Sequence, residues 1–215
     1  MCFDLDGTIV DSRAGIAAAL QSAIAEVLPG RAIDESRLLI GPPLTVMIQR
    51  LLPDASDAHD AVASAFHRHY DSEGWRSARP YPGIPEALDA LAAAGLRLDI
   101  VTNKRSVPTG LILGSPPLSG RFSLAISLDT ADPAHRTKAD ALATLVATIG
   151  LPPSRVAYAG DSDDDRVAAR VTGCPFVPIG WGYGRAAETS DSRDLAVVTS
   201  PPELTACLLK IAHQR

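Results

Sequence analysis

The chain has 215 residues, of which 46% are hydrophobic and 21% charged, and it carries a formal net charge of −5. This suits one domain of ordinary size, or a core domain with a smaller insertion, and the composition allows a real core to be buried. The scattered Lys and Arg argue against a basic nucleic-acid face; no run reaches about 18 apolar residues, as a membrane helix needs; and no basic segment leads into an apolar one, so a cytoplasmic protein without a signal peptide is expected.

Cys2, Cys174 and Cys207 are far apart and include no Cys-x-x-Cys pair, so they read as free thiols. Residues 2–5 read as the end of a strand. Only Met1, Cys2 and Phe3 precede Asp4, fewer than the five or six residues (about) usual for a strand, so the first strand is short or the natural chain starts earlier. Residues 13–28 carry helical spacing at Ile16, Leu20, Ile24 and Val27, stopped by Pro29-Gly30. Further helical pieces follow at Leu44–Leu52 and Ala58–Tyr70, and no strand-like run interrupts 13–79. Arg79-Pro80-Tyr81-Pro82-Gly83 is a breaker cluster and a natural return point.

From there helix and strand alternate. Helices are predicted at Pro85–Ala94, Lys138–Ile149, Asp163–Val171 and Pro202–Ile211. Strands are predicted at Leu96–Thr102, Leu124–Ser127, Val156–Ala159, Phe176–Ile179 and Leu195–Val198. This alternation implies an α/β fold, a doubly wound parallel sheet with an inserted all-helical unit.

Ligands of such sheets bind beyond the carboxyl ends of the strands. Asp4 and Asp6 follow the first strand, Thr102-Asn103 another, and Asp161 a third, while Lys138 opens a helix. Carboxylates gathered from Asp4, Asp6 and Asp161 would repel one another unless a cation intervened, and hard oxygen ligands suit Mg2+. Asp165, one helical turn after Asp161, is placed to support that metal or to pair with Lys138. Asp163 and Asp164 read as acidic residues favouring a helix N-terminus. Thr102, Asn103 and Lys138 can bind phosphoryl oxygens, and phosphoryl transfer is mostly positioning and charge neutralisation. Asp4 can attack phosphorus while Asp6 serves as general acid and then base. Gly7 permits the turn after them.

Phe3-Asp4-Leu5-Asp6-Gly7-Thr8-Ile9-Val10-Asp11-Ser12, Ile100-Val101-Thr102-Asn103-Lys104, Lys138 and Gly160-Asp161-Ser162-Asp163-Asp164-Asp165 together resemble the four motifs of the haloacid dehalogenase superfamily of phosphohydrolases. The resemblance spans essentially the whole chain. It implies a Rossmann-like catalytic core of residues 1–12 and 80–215, with a helical cap at 13–79. It also implies that Asp4 is the nucleophile and Asp6 the acid/base. Mg2+ would be held by the Asp4 and Asp161 side chains and the Asp6 carbonyl, with Asp165 in support. Thr102, Asn103 and Lys138 would bind phosphate.

Ile40-Gly41-Pro42-Pro43-Leu44, Pro80-Tyr81-Pro82-Gly83 and Gly180-Trp181-Gly182-Tyr183-Gly184 are similar to strings of phosphoglycolate phosphatase-like members. One departure stands out: Ala139-Asp140-Ala141 follows Lys138 where the family usually has Pro-x-Pro.

The loop at Gly41 and Pro42 is expected to face the active site and contribute to selectivity. Arg50, Arg68 and Lys104 are candidates for a second anionic group, with surface solvation the simpler role. His59, His67, His69, His135 and His213 read as surface or cap residues, and Trp75, Trp181 and the tyrosines as packing groups. The expected partner is a small phosphorylated metabolite such as 2-phosphoglycolate, with no nucleic acid or membrane, in a monomer or homodimer. A sugar-phosphate mutase is the alternative, then a catalytically silent binding protein on the same fold. A dehalogenase would have no use for Asp6 as a proton donor.

Overall fold

The structure is a computed structural model that describes residues 1–131, 133–189 and 191–213; Asp132, Ser190 and the expected end of the core at Gln214-Arg215 lie outside them. Five parallel strands form the main sheet: β1 (Cys2–Phe3), β4 (Asp99–Thr102), β5 (Leu124–Ser127), β6 (Tyr158–Gly160) and β7 (Phe176–Pro178), in the order β5-β4-β1-β6-β7. β1 is short but central. Phe3 stands level with Ile100 on one side and Ala159 on the other.

Side chains alternate across the sheet, as strand geometry requires. Phe3, Ile100, Ala159 and Val177 pack on one face, with Leu88 and Leu91 of α4 (Ile84–Ala93) and Leu204 and Leu208 of α8 (Pro201–His213). Cys2, Val101, Tyr158 and Phe176 pack on the other, with Leu142 and Leu145 of α6 (Lys138–Ile149) and Ala168 and Ala169 of α7 (Asp163–Thr172). Both faces are covered, so the central strands read as apolar runs. The fold is α/β, with a parallel Rossmann-like sheet.

Between β1 and β4, α1 (Arg13–Val27), α2 (Leu44–Leu51) and α3 (His59–Ser72) surround an apolar cluster of their own, built on Leu20, Ile24, Ile48, Val62, Phe66 and Tyr70. This helical segment is entered and left through a two-stranded antiparallel pair, β2 (Val10–Asp11) and β3 (Arg79–Pro80). Among the described residues, no helix is long and apolar enough to cross a membrane.

The structure departs from the sequence reading at several elements, the β2–β3 pair among them. α5 (Ser106–Leu113) has no counterpart in that reading; its Pro108 falls in the first turn, where the backbone N–H groups lack intrahelical partners, so a proline is tolerated there. Leu195–Val198 forms no regular strand, although it runs beside β7: Leu195 N–H donates to Phe176 O at 2.8 Å, Val198 N–H to Pro178 O at 3.0 Å, and an isolated parallel bridge joins Ile179 and Val198. β4 begins at Asp99 and not at Leu96, with Asp99 level with Cys2 of β1. Asp99, buried near the middle of that apolar run, is bound through both carboxylate oxygens by Arg97 Nε at 2.9 Å.

Candidate active site

β1 runs straight into Asp4, whose N–H donates to Ala159 O at 2.9 Å and extends the pairing by one residue. The chain then turns back at once, with the N–H groups of Ile9 and Val10 both donating to Leu5 O. Gly7 makes the turn at φ +86°, and any Cβ there would overlap the Asp161 carboxylate. The turn therefore demands glycine twice, by conformation and by space.

Asp161 follows β6 directly. Its Oδ2 accepts backbone N–H bonds from Tyr183 at 2.7 Å and Gly184 at 2.8 Å, while its Oδ1 is buried without a hydrogen-bond partner among the described residues. Ser162 then caps α7. Its hydroxyl accepts from Asp165 N at 3.2 Å, and the Asp165 carboxylate accepts from Ser162 N at 3.0 Å, a reciprocal capping box. This cap fixes Asp165, which is 0% exposed.

Lys138 opens α6 beneath a second capping box, between Thr137 and Asp140. Asp140, in the middle of the Ala139-Asp140-Ala141 run, thus holds the lysine's turn by side-chain bonds. Lys138 Nζ donates to Asp4 Oδ1 at 3.0 Å and to Asp165 Oδ1 at 2.7 Å, and Tyr158 OH donates to Asp165 Oδ1 at 2.9 Å.

One carboxylate oxygen each from Asp4, Asp161 and Asp165 lies within 4.8 Å of the others. Burial pushes Asp4 well above the ordinary carboxylate range; Lys138 opposes the shift, while Asp165, Asp161 and Asp6 add to it. Burial, with Asp165 adding, pushes Asp161 up to about 6. Burial disfavours the charge on Lys138, but Asp165 and Asp4 outweigh it and raise its pKa. Three buried carboxylates share one ammonium, so negative charge is in surplus at this rim.

A cavity opens over Asp4 and Asp6, bounded by Thr102 and Asn103 from the sheet and by Gly41 and Pro42 from the helical segment. Asn103 Nδ2 donates to Gly41 O at 2.9 Å and to Asp164 Oδ2 at 2.8 Å, so it ties the Gly41 loop to α7. Thr102 Oγ1 accepts from Lys104 N at 3.2 Å. Asp4, Asp6, Thr102 and Asn103 border this cavity with Gly41 and Pro42, and Lys138, Asp161 and Asp165 lie against Asp4.

The structure corrects the surface reading of Lys104 and keeps that of Arg50 and Arg68. Lys104 is not a solvated surface group: its side chain is 6% exposed, and Nζ lies 3.1 Å from Asp6 Oδ2 and 2.8 Å from Tyr70 OH. Arg50 is exposed, and Arg68 pairs with Glu26 at the surface. His67 borders the cavity.

Ser12, Tyr158, Tyr70 and Tyr183 were missed as polar participants. Ser12 Oγ donates to Asp6 Oδ1. Tyr183 OH donates to Asp11 and accepts from the N–H groups of Ser12 at 2.7 Å and Arg13 at 3.1 Å, at a helix start with no side-chain cap of its own. The Gly180–Gly184 string was the available signal for Tyr183, and adjacency to Thr102-Asn103 was the signal for Lys104. Tyr70 reaches the site from a helix distant in sequence, and no local pattern marks it.

Residues 1–179 match the family model described as haloacid dehalogenase-like hydrolase. The chain belongs to that family. A phosphoglycolate phosphatase of Photorhabdus laumondii is 30% identical over 210 residues, covering 95% of this chain and 89% of that protein. A haloacid dehalogenase-like hydrolase of Streptococcus pneumoniae superposes with a TM-score of 0.85 at 27% identity, covering 95% of each chain. The tyrosine-protein kinase PtkA of Mycobacterium tuberculosis is 32% identical over 92% of this chain and 67% of its own length. Its solved structure has a TM-score of 0.79 at 28% identity, covering 96% of each chain. Within the family, this chain is an enzyme of the phosphatase type, a phosphoric monoester hydrolase.

Proposed function

We propose that the protein hydrolyses a small phosphomonoester, of which 2-phosphoglycolate is the model, through an aspartyl-phosphate on Asp4, with Mg2+ as cofactor. The observation that carries this reading is the surplus of buried carboxylates at the mouth of the cavity, with one oxygen, Asp161 Oδ1, left unpartnered. A buried carboxylate oxygen without a partner is costly, and a divalent cation with oxygen preference fits it. Both oxygens of Asp165 are engaged by Lys138, Tyr158 and Ser162, so Asp165 supports and does not coordinate. Asp4 and Asp161, with the main-chain carbonyl of Asp6, would hold the ion. Once bound, it would neutralise phosphoryl charge and keep Asp4 ionised.

The residues divide the remaining work. An Asp4 oxygen attacks phosphorus, the ester P–O bond breaks, and its electron pair leaves with the ester oxygen, which takes a proton from Asp6. A water then attacks the phosphorus and gives its proton to Asp6, and the Asp4–phosphorus bond breaks. Ser12 and Lys104 hold the two Asp6 oxygens in place for both transfers. Lys138 and Thr102 take phosphoryl oxygens, and Asn103 joins them by exchanging its bond to Gly41.

In this reading residues 13–79 are a cap over a core of 1–12 and 80–215, and the Gly41-Pro42 loop borders the leaving group. The likeness to PtkA raises a second reading, transfer to a protein tyrosine. The Gly41 loop tied to Asn103 over the cavity favours a small leaving group instead.

The test is phosphate release from a panel of phosphometabolites with and without Mg2+, using Asp4→Asn as control. Release that requires Mg2+ and vanishes in Asp4→Asn is expected. Activity that survives EDTA, or persists in Asp4→Asn, would falsify the mechanism. ATP-dependent labelling of a tyrosine substrate without phosphatase turnover would favour the second reading.

A further inference from the structure

We propose that Lys104 and Tyr70 form a subsite for an anionic group, specifically a carboxylate, on the leaving portion of the substrate. The inference rests on the phosphatase reading above and adds the chemical class that the pocket selects.

A lysine ammonium carries three N–H donors and no acceptor. Lys104 Nζ spends one on Tyr70 OH at 2.8 Å and faces Asp6 Oδ2 at 3.1 Å. It also stands 4.3 Å from the centroid of the Tyr70 ring, so the charge is held between the Asp6 turn and α3. Its remaining donor is uncommitted among the described residues. Tyr70 OH accepts from Lys104, and its own hydrogen has no acceptor among the described residues. Both side chains border the same cavity as Asp4 and Asp6. One spare donor on the ammonium and one on the adjoining Tyr70 hydroxyl match the two oxygens of a carboxylate.

The position fits as well. Asp6 protonates the ester oxygen, so that oxygen must lie within hydrogen-bond reach of Asp6, and Lys104 Nζ touches the same carboxylate. A carboxylate attached to the ester carbon, as in 2-phosphoglycolate, is then within reach of Nζ, whereas a group several carbons away would pass it. The other carboxylate on the α3 side of the cavity, Asp71, is met by Arg105 at 2.8 Å and does not compete for Lys104.

The test compares kcat/KM for 2-phosphoglycolate with that for 2-hydroxyethyl phosphate, a neutral ester of similar size, in wild type, Lys104→Met, Lys104→Arg and Tyr70→Phe. Wild type is expected to favour the carboxylate ester by about 10- to 100-fold, the range of one charged hydrogen-bonded contact. Lys104→Met erases that preference, Lys104→Arg keeps part of it, and Tyr70→Phe reduces it.

A wild-type ratio near one overturns the subsite, and that measurement needs no variant to fold. Equal losses on both esters in Lys104→Met also overturn it and leave Lys104 as a partner of Asp6 alone. In both cases phosphate is still released and the phosphatase reading stands. Wild type that releases phosphate from no ester overturns both.

Discussion

Lys138 touches two buried carboxylates at once, Asp4 at 3.0 Å and Asp165 at 2.7 Å, and is itself 2% exposed. Removing one member of such a group leaves its partners buried and uncompensated, which costs about 3–5 kcal/mol. Lys138→Met is therefore expected to lower stability by that order in urea titration, and Mg2+ should restore part of the loss by replacing the missing positive charge. A loss below about 1 kcal/mol would mean that the carboxylates are not ionised together. Asp6 makes a different prediction, because proton donation matters most when the leaving oxygen is strongly basic. Asp6→Asn should slow an alkyl phosphate by about 100-fold or more and p-nitrophenyl phosphate by much less. Equal slowing of both would remove Asp6 from the acid role.

At the scale of elements, two short segments aim these groups. Ser162 is the N-cap of α7, and its bonds to Asp165 in both directions fix the carboxylate that orients Lys138. Ser162→Ala should cost about 1–2 kcal/mol of stability and lower kcat while leaving the KM for substrate nearly unchanged. Full activity in Ser162→Ala would show that Lys138 alone keeps Asp165 in place. The segment Trp181–Gly184 faces two ways: its backbone N–H groups hold Asp161, while the Tyr183 hydroxyl holds the start of α1 and Asp11. Gly182 packs so closely on Asp161 and on Gly7 O that a Cβ would overlap both, so Gly182→Ala should abolish activity by displacing Asp161.

These segments also mark where the sequence was readable. The Asp4–Thr8 string and the alternation of strands and helices are local patterns, and they put Asp4, Asp6, Thr102, Asn103 and Asp161 at strand ends. α5 escaped because a proline reads as a breaker until its place within the helix is known. Lys104, Tyr70 and Tyr183 escaped because their partners lie 34 to 172 residues away, and a side chain's burial depends on what folds over it. The predicted strand at Leu195–Val198 does lie beside β7 and bonds to it at both ends, but only Val198 reaches the register of a bridge.

Taken as a whole molecule, the fold gathers three carboxylates and one lysine at the carboxyl edge of β1 and β6, and stability is given up there. Binding of a cation to the folded state alone recovers it by mass action, about 2.7 kcal/mol at one hundred times the dissociation constant. For a chain of this length that is a rise in Tm of about 5–10 °C. Thermal melts with Mg2+ should show this rise, and EDTA should reverse it. Asp161→Asn should lose the response, since the unpartnered Oδ1 is replaced by a neutral group. The amide oxygen can still accept from Tyr183 N and Gly184 N, so the loop that holds it stays in place. Without metal, this variant should melt no lower than wild type, because one of three repelling buried charges is gone. A wild-type Tm indifferent to Mg2+, or an Asp161→Asn protein that still responds, would move the ion away from Asp161. The paired measurement separates a site strained for metal binding from an acidic cluster that Lys138 already satisfies.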